Sequence, residues 1–327
     1  MGGKYSMITR LLFIGENRVN DSILTLLHDR FLCPVPDQTL IYCSDRLDIE
    51  SIKSLYSERK IDIQNFKFFY DKELLSNHPY GSIVNNFSDP SGVWIDWYIK
   101  QQLYKFLALD LCNTEYVLIQ DCDTFCIKPY RYFINGEPSV FGSTSEKITM
   151  PIPMSLEYDD ILRKQAGGHG SHWNYTNDHY RYFNYLTGST EVYQGIWISE
   201  FMPIKKTQWI DLKTQIESNC KLPWMESLFA SFIYGHHNGW KLHNFVEYTV
   251  LAQWLLTYEN TTTITQLRAG LDGDMWNHVK NRSMSLNFQT SHSYKDISYF
   301  DVMCISRHQP FTLEDIDYIY SQLQLRL

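Results

Sequence analysis

The first 70 residues alternate between short apolar runs and amphipathic segments, and this alternation constrains the fold more than any other sequence feature. The apolar runs are rich in β-branched and aromatic residues, which is typical of strands, and the segments between them have helical periodicity. The predicted order is strand, helix, strand, helix, strand, at residues 10–16, 21–31, 38–43, 48–59 and 65–70. Strands separated by helices pair in parallel, so the sequence predicts an α/β fold with a mostly parallel central sheet flanked by helices.

Charge, cysteine content and hydropathy limit the classes of function. The 327 residues carry a formal net charge of −8 at a pI of about 5.8, which argues against broad, salt-driven binding to nucleic acid or an anionic membrane. Seven cysteines without framework spacing favour reduced thiols. No segment has the roughly 18 to 20 consecutive apolar residues of a membrane span, and the N-terminus lacks the apolar core of a signal peptide. We therefore expect a soluble, cytoplasmic protein.

A later apolar run, residues 116–119, is a predicted strand that ends close to two carboxylates, Asp121 and Asp123. In an extended chain these two side chains project to the same side, whereas Cys122 points away. Two neighbouring carboxylates are costly unless solvent or a cation compensates them, and their oxygens suit magnesium, calcium or manganese. Open α/β sheets bind ligands beyond the carboxyl ends of their strands. The pair is thus a candidate metal site, and a solvated acidic turn is the alternative.

The segment before this strand, residues 92–111, is strongly helical. Trp97, Gln101 and Lys105 share one face at i, i+4 spacing, and Gln102 lies beside Lys105. Because the helix leads into the acidic strand, its polar face is predicted to border the same cleft. A solvated helix face is the alternative. No glycine-rich phosphate loop follows any predicted strand, so neither a Rossmann fingerprint nor a P-loop is present.

These residues resemble the nucleotide-sugar glycosyltransferases of the glycosyltransferase-A fold with an Asp-x-Asp motif, and in particular a poorly characterised bacterial and viral group. The resemblance rests on three stretches: Trp97-x3-Gln101-Gln102-x2-Lys105, Tyr116-Val-Leu-Ile-Gln-Asp121-Cys-Asp123-Thr, and Lys128-Pro129. It implies that Asp121 and Asp123 bind Mn²⁺ or Mg²⁺ on the diphosphate of the donor. It also implies that Gln101, Gln102 and Lys105 belong to the donor-binding side.

The resemblance extends to three further residues. Gln194, in a predicted strand at residues 192–199, matches an amide behind the donor sugar, although Asn is commoner there. Glu247 lies in a Phe-x-Glu-Tyr element of the acceptor side and is the candidate base of an inverting enzyme, whereas Gln194 would lie near the sugar in a retaining one. An acid that complements a helix dipole is the alternative for Glu247. His308 is the candidate third metal ligand, with His292 as the reserve.

The resemblance implies one glycosyltransferase-A-like domain over residues 1–327 with a helical C-terminal portion. About residues 1–140 would bind the nucleotide sugar and about 141–327 the acceptor. The expected enzyme is a metal-dependent hexosyl- or pentosyltransferase that moves a sugar from a nucleotide diphosphate sugar to a hydroxyl of a glycan, a lipid-linked sugar or a hydroxymethylated DNA base. A non-catalytic carbohydrate- or metal-binding protein that kept the fold is the alternative.

Overall fold

A computed structural model describes residues 7–88, 96–126, 130–142, 147–149, 178–193, 201–240, 242, 245–259, 262–265, 268–271, 302–305, 312–314, 316–317 and 321. Its helices are α1 (Val19–Leu32), α2 (Ile49–Glu58), α3 (Asp71–Asn77), α4 (Gly81–Asn85), α5 (Asp96–Leu111), α6 (Asp178–Thr187), α7 (Lys206–Cys220), α8 (Trp224–His237) and α9 (Glu247–Tyr258). Its strands are β1 (Ile8–Ile14), β2 (Gln38–Cys43), β3 (Phe66–Tyr70), β4 (Tyr116–Asp121), β5 (Thr124–Cys126), β6 (Phe133–Ile134), β7 (Glu137–Gly142), β8 (Lys147–Thr149), β9 (Glu191–Tyr193), β10 (Phe201–Lys205), β11 (Thr262–Thr265), β12 (Arg268–Leu271) and β13 (Val302–Ile305).

The central sheet has the strand order β10-β4-β1-β2-β3. Strands β1 to β4 are mutually parallel, and β10 runs antiparallel to β4 at one edge. Phe13 of β1 lies opposite Asp121 of β4, so the acidic strand is paired in register with the first one. The strand order reverses between β1 and β4, and ligands of open α/β sheets bind beyond the carboxyl ends at such a point. The predicted mostly parallel sheet flanked by helices is confirmed.

Both faces of the central sheet are buried, as a parallel sheet requires. On β1, Leu11 and Phe13 belong to one core cluster, while Leu12 and Ile14 belong to the other. Residues of α1 and α2 fill the second cluster, and residues of α5 and of α6 to α9 fill the first. The uninterrupted apolar run of β1 is therefore explained by its two covered faces.

Residues 76–92 are rich in Ser, Asn, Pro and Gly, a composition that predicts a loop, but the structure differs from this prediction. Helix α4 lies within this segment, and α3 extends into its start. A Cβ atom on Gly81 would lie 1.7 Å from the carbonyl oxygen of Leu75, so only glycine permits this close approach of α4 to α3. Val84 is fully buried, and the ring of Phe87 packs against Phe232. A helix this short is stabilised by packing, which composition does not reveal.

Three small sheets complete the described part of the chain, with orders β12-β13-β5, β11-β7-β6 and β8-β9. Strand β13 runs antiparallel to β5, and Cys304 lies opposite Thr124. The carboxyl end of the last strand therefore returns to the turn that follows β4. None of the helices in the described ranges is long and apolar enough to cross a membrane.

Candidate functional site

Asp121 is the last residue of β4, and a tight turn follows it. Cys122 and Asp123 form this turn, after which β5 begins. The turn is held on one side by Thr25, whose Oγ1 donates to the Cys122 carbonyl at 2.7 Å, and on the other by Gln120, whose Nε2 donates to the Thr124 carbonyl at 3.1 Å. The extended chain ends at Asp121, so the turn rather than strand alternation determines the direction of Asp123.

One oxygen of the Asp121 carboxylate, Oδ1, contacts two hydrogen-bond donors. The Lys105 Nζ lies 2.5 Å from Oδ1, and the Tyr248 hydroxyl donates to the same atom at 3.0 Å. Both contacts are to Oδ1, and no other residue that the structure describes forms a hydrogen bond or an ion pair with this carboxylate. The side chain is 13% exposed. Asp121 is therefore held in a fixed orientation with its second oxygen available to a ligand.

Lys105 is buried between two carboxylates. Its Nζ lies 2.6 Å from Glu247 Oε1, in addition to its contact with Asp121, and 4.4 Å from the centre of the Tyr248 ring. Burial opposes the charged ammonium, but the attraction of Asp121 and Glu247 outweighs it and raises the pKa of Lys105 above its usual value. Lys105 therefore stays protonated and joins α5, β4 and α9.

Glu247, the first residue of α9, is fully buried. The Gln102 amide faces the same carboxylate, and its NH₂ group lies 3.0 Å from Oε1 in the orientation in which it donates. Burial raises the pKa of Glu247, and the attraction of Lys105 opposes this shift. The amino end of α9 also favours a negative charge at this position. Both the Lys105 ammonium and the Gln102 amide therefore lie against this buried carboxylate.

Asp123 lies beside a second ion pair. Arg18, which follows β1, places its Nη1 at 2.7 Å from Asp21 and at 3.9 Å from Asp123. Asp21 is fully buried, whereas Asp123 is 14% exposed. Among the residues that the structure describes, the ion pairs at the end of β4 join two cations and four carboxylates with a formal net charge of −2: Arg18, Lys105, Asp21, Asp121, Asp123 and Glu247.

The structure brings together several of the residues singled out in the sequence, although helix α5 and residue 247 are far apart along the chain. Those that share contacts at the end of β4 are Gln102, Lys105, Asp121 and Glu247, with Asp123 in the adjoining turn. Gln101 is partly buried, and no side-chain hydrogen bond joins it to another residue of the described ranges. Gln194, His308 and the reserve His292 lie outside those ranges.

Two residues with direct contacts to the acids had no role assigned from sequence. Arg18 contacts Asp123, and its position just after the first strand was the available signal, because β1 and β4 end at the same edge of the sheet. Tyr248 contacts Asp121, and it adjoins Glu247 in the recognised Phe-x-Glu-Tyr element. Neither contact is implied by a local pattern.

The donor set fits a hard divalent cation only in part. Among the residues that the structure describes, no three His, Cys, Asp or Glu side chains converge so that they could hold a metal ion. Magnesium is commonly bound by one or two carboxylates together with water and substrate phosphates. Asp121 and Asp123 supply that smaller set of oxygens, so a cation here would need ligands from a phosphate, water or another part of the chain.

No protein-family model matches the chain, and no curated protein matches it in sequence. Among solved structures it is similar to mouse xyloside xylosyltransferase 1 in the apo form, at 8% identity and a TM-score of 0.46, over 93% of this chain and 99% of that chain. It is also similar to the galactosyltransferase LgtC with donor and acceptor sugar analogues, at 7% identity and 0.45, over 97% and 95%. An active-site mutant of LgtC gives 8% and 0.44, over 98% and 96%. Likenesses this weak do not bear on function.

Proposed function

We propose that the chain is a metal-dependent glycosyltransferase that moves a sugar from a nucleotide diphosphate sugar to a hydroxyl acceptor. The observation that carries the proposal is the position of Asp121, at the carboxyl end of β4 where the strand order reverses, with Oδ2 available to a ligand. The resemblance of the Gln101, Lys105 and Asp121 stretches to glycosyltransferases of the glycosyltransferase-A fold supports the same reaction.

The charge at this edge of the sheet supports a divalent cation as the partner. In the described part of the chain, the two cations and four carboxylates of these ion pairs have a formal net charge of −2. We assign Asp121 and Asp123 as the carboxylates that hold Mn²⁺ or Mg²⁺. When bound, such a cation would neutralise charge on the departing nucleotide diphosphate.

The remaining site residues are assigned to the donor, to the carboxylates or to the metal. Gln101, on the polar side of α5, is assigned to the donor, whereas the buried Gln102 and Lys105 hold the carboxylates. We keep Gln194 as the amide near the donor sugar. His308 is the proposed third metal ligand, because β13 ends beside Thr124, one residue from Asp123, and His308 follows that strand closely in sequence.

Donor turnover tests the proposal. The purified chain with Mn²⁺ should release nucleotide slowly from one of the UDP-, GDP- or TDP-sugars, and EDTA should stop the release. CMP-sugars, which have no diphosphate, are the matched control and should remain intact. The acceptor is then sought among glycans, lipid-linked sugars and hydroxymethylated DNA.

Two results would decide against parts of the proposal. Mn²⁺ binding without turnover of any donor, with any acceptor, would favour the non-catalytic carbohydrate- or metal-binding protein. The third ligand is tested separately with His308→Ala and, as the control, His292→Ala. If His308→Ala leaves Mn²⁺ affinity unchanged, water and substrate phosphate complete the metal shell.

A further inference from the structure

Glu247 has no exposed surface, and this conflicts with a direct role in proton transfer. Lys105 contacts its Oε1 at 2.6 Å, and the Gln102 amide lies against the same carboxylate. A general base must come within hydrogen-bond distance of the hydroxyl that it deprotonates, directly or through one water. In this structure the Glu247 carboxylate instead forms an ion pair with Lys105.

Lys105 is shared almost equally between Glu247 and Asp121. The two N···O distances are 2.6 and 2.5 Å, so Glu247 offsets the ammonium charge that Asp121 would otherwise face alone. Without this offset Lys105 would neutralise Asp121 and compete with a metal cation for it. Tyr248 adds a hydrogen bond to the same Oδ1, which leaves Oδ2 as the oxygen directed away from the protein donors.

We propose that Glu247 is a positioning residue that acts through Lys105 to keep Asp121 both oriented and negatively charged for a divalent cation. The inference rests on the proposed function in taking Asp121 as the cation ligand. It differs from the sequence prediction that Glu247 is the catalytic base, because it assigns the effect of Glu247 to metal affinity rather than to proton transfer.

Mn²⁺ affinity tests the inference without any turnover. Mn²⁺ alone is titrated into each purified variant, and the free ion is measured by its electron paramagnetic resonance signal. Glu247→Gln should weaken Mn²⁺ binding by about 10- to 100-fold, the usual effect of losing a residue that orients a metal ligand. The double variant Lys105→Met with Glu247→Gln restores the local net charge but removes the ammonium that orients Asp121, so its affinity should lie between those of Glu247→Gln and the wild type.

A matched control is the pair of Lys205 and Glu137, which have the same 2.6 Å separation but lie away from the site. Glu137→Gln should leave Mn²⁺ affinity unchanged, and urea unfolding confirms that each variant is folded. Glu247→Gln with unchanged Mn²⁺ affinity and lowered kcat would overturn the inference and identify a base. A double variant as weak as Glu247→Gln would also overturn it, and so would a wild-type chain that binds no Mn²⁺.

The failure of the inference and the failure of the proposed reaction give different results. If the variants change Mn²⁺ affinity as expected but no donor is turned over, the positioning role of Glu247 stands and the glycosyltransferase assignment falls. If donors are turned over and Mn²⁺ affinity does not respond to Glu247→Gln, the reaction stands and the positioning role falls.

Discussion

Helix α5 carries two clusters of charged groups with opposite composition. In the Lys105 cluster, one buried ammonium lies between two carboxylates, Asp121 and Glu247, at the carboxyl end of β4. In the Asp110 cluster, one carboxylate accepts hydrogen bonds from several donors near the other end of that strand: His78 at 3.2 Å, Trp209 at 2.9 Å, and Lys213.

The difference in charge distinguishes a candidate ligand-binding site from a cluster that stabilises the fold. The Lys105 cluster has more negative than positive charge and leaves one carboxylate oxygen of Asp121 available, so a cation would complete it. The Asp110 carboxylate is surrounded by donors, and Lys206 additionally donates to the Leu109 and Asp110 carbonyls at the end of α5. Substitution of Asp121 should therefore change activity more than stability, whereas substitution of Asp110 should change stability and not activity.

The largest expected effect is on turnover. Asp121→Asn and Asp123→Asn should each lower metal-dependent donor turnover by about 10³-fold, because a carboxylate ligand of the cation is lost. The free energy of unfolding of Asp121→Asn should change by less than about 1 kcal/mol, since Lys105 keeps Glu247 as a partner. Steady-state kinetics and urea unfolding measure the two effects. Undiminished Mn²⁺-dependent nucleotide binding in both variants would remove the metal assignment.

Matched lysine substitutions compare the clusters directly. Lys105→Met leaves the fully buried Glu247 without its cation and should cost about 3–5 kcal/mol of unfolding free energy. Lys213→Met should cost only about 1 kcal/mol, because Lys213 is 20% exposed and Asp110 retains other donors. Urea unfolding compares the two. Adding Glu247→Gln to Lys105→Met should recover most of the loss, and equal losses for the two lysines would contradict the comparison.

Substitution of Asp110 should have a smaller effect on stability than Lys105→Met and none on turnover. Burial opposes its charge, but hydrogen bonds from His78, Lys213 and Trp209 outweigh burial and hold the pKa of Asp110 below its usual value. Asp110→Asn should therefore lower the unfolding free energy by about 2 kcal/mol at pH 7, with turnover per folded molecule unchanged.

The difference in unfolding free energy between the wild type and Asp110→Asn depends on pH because the pKa of Asp110 is lowered in the folded state. The unfolded chain takes up the proton first, so the stabilisation by Asp110 is complete above the unfolded pKa of about 4 and is lost as the pH falls through the lower folded value. Urea unfolding of the wild type and Asp110→Asn at pH 7, 5 and 3.5 should give equal differences at the first two values and a smaller one at the third. A constant difference at all three would argue against an ionised, hydrogen-bonded Asp110.

Local sequence patterns were sufficient to predict several of the longer strands and helices. The predicted strand at residues 38–43 is β2, and the predicted helix at residues 92–111 contains α5. They were insufficient for α4, which depends on the close approach of Gly81 to Leu75, and for β5, which pairs with the distant β13. Residues that are adjacent in sequence do not encode packing contacts and strand-pairing partners of this kind.

The sequence by itself determined which chemical groups stand at the end of β4, since an apolar strand that ends in two acids and a helix that carries Gln102 and Lys105 are local features. Only the tertiary structure decided their pairing. Lys105 and Glu247 are separated by 142 positions, and they meet because the packing of α9 against α5 brings their ends together beside β4. The burial that results removes Glu247 from solvent and leaves Lys105 as its ion-pair partner, so the role of this carboxylate depends on contacts that no sequence spacing encodes.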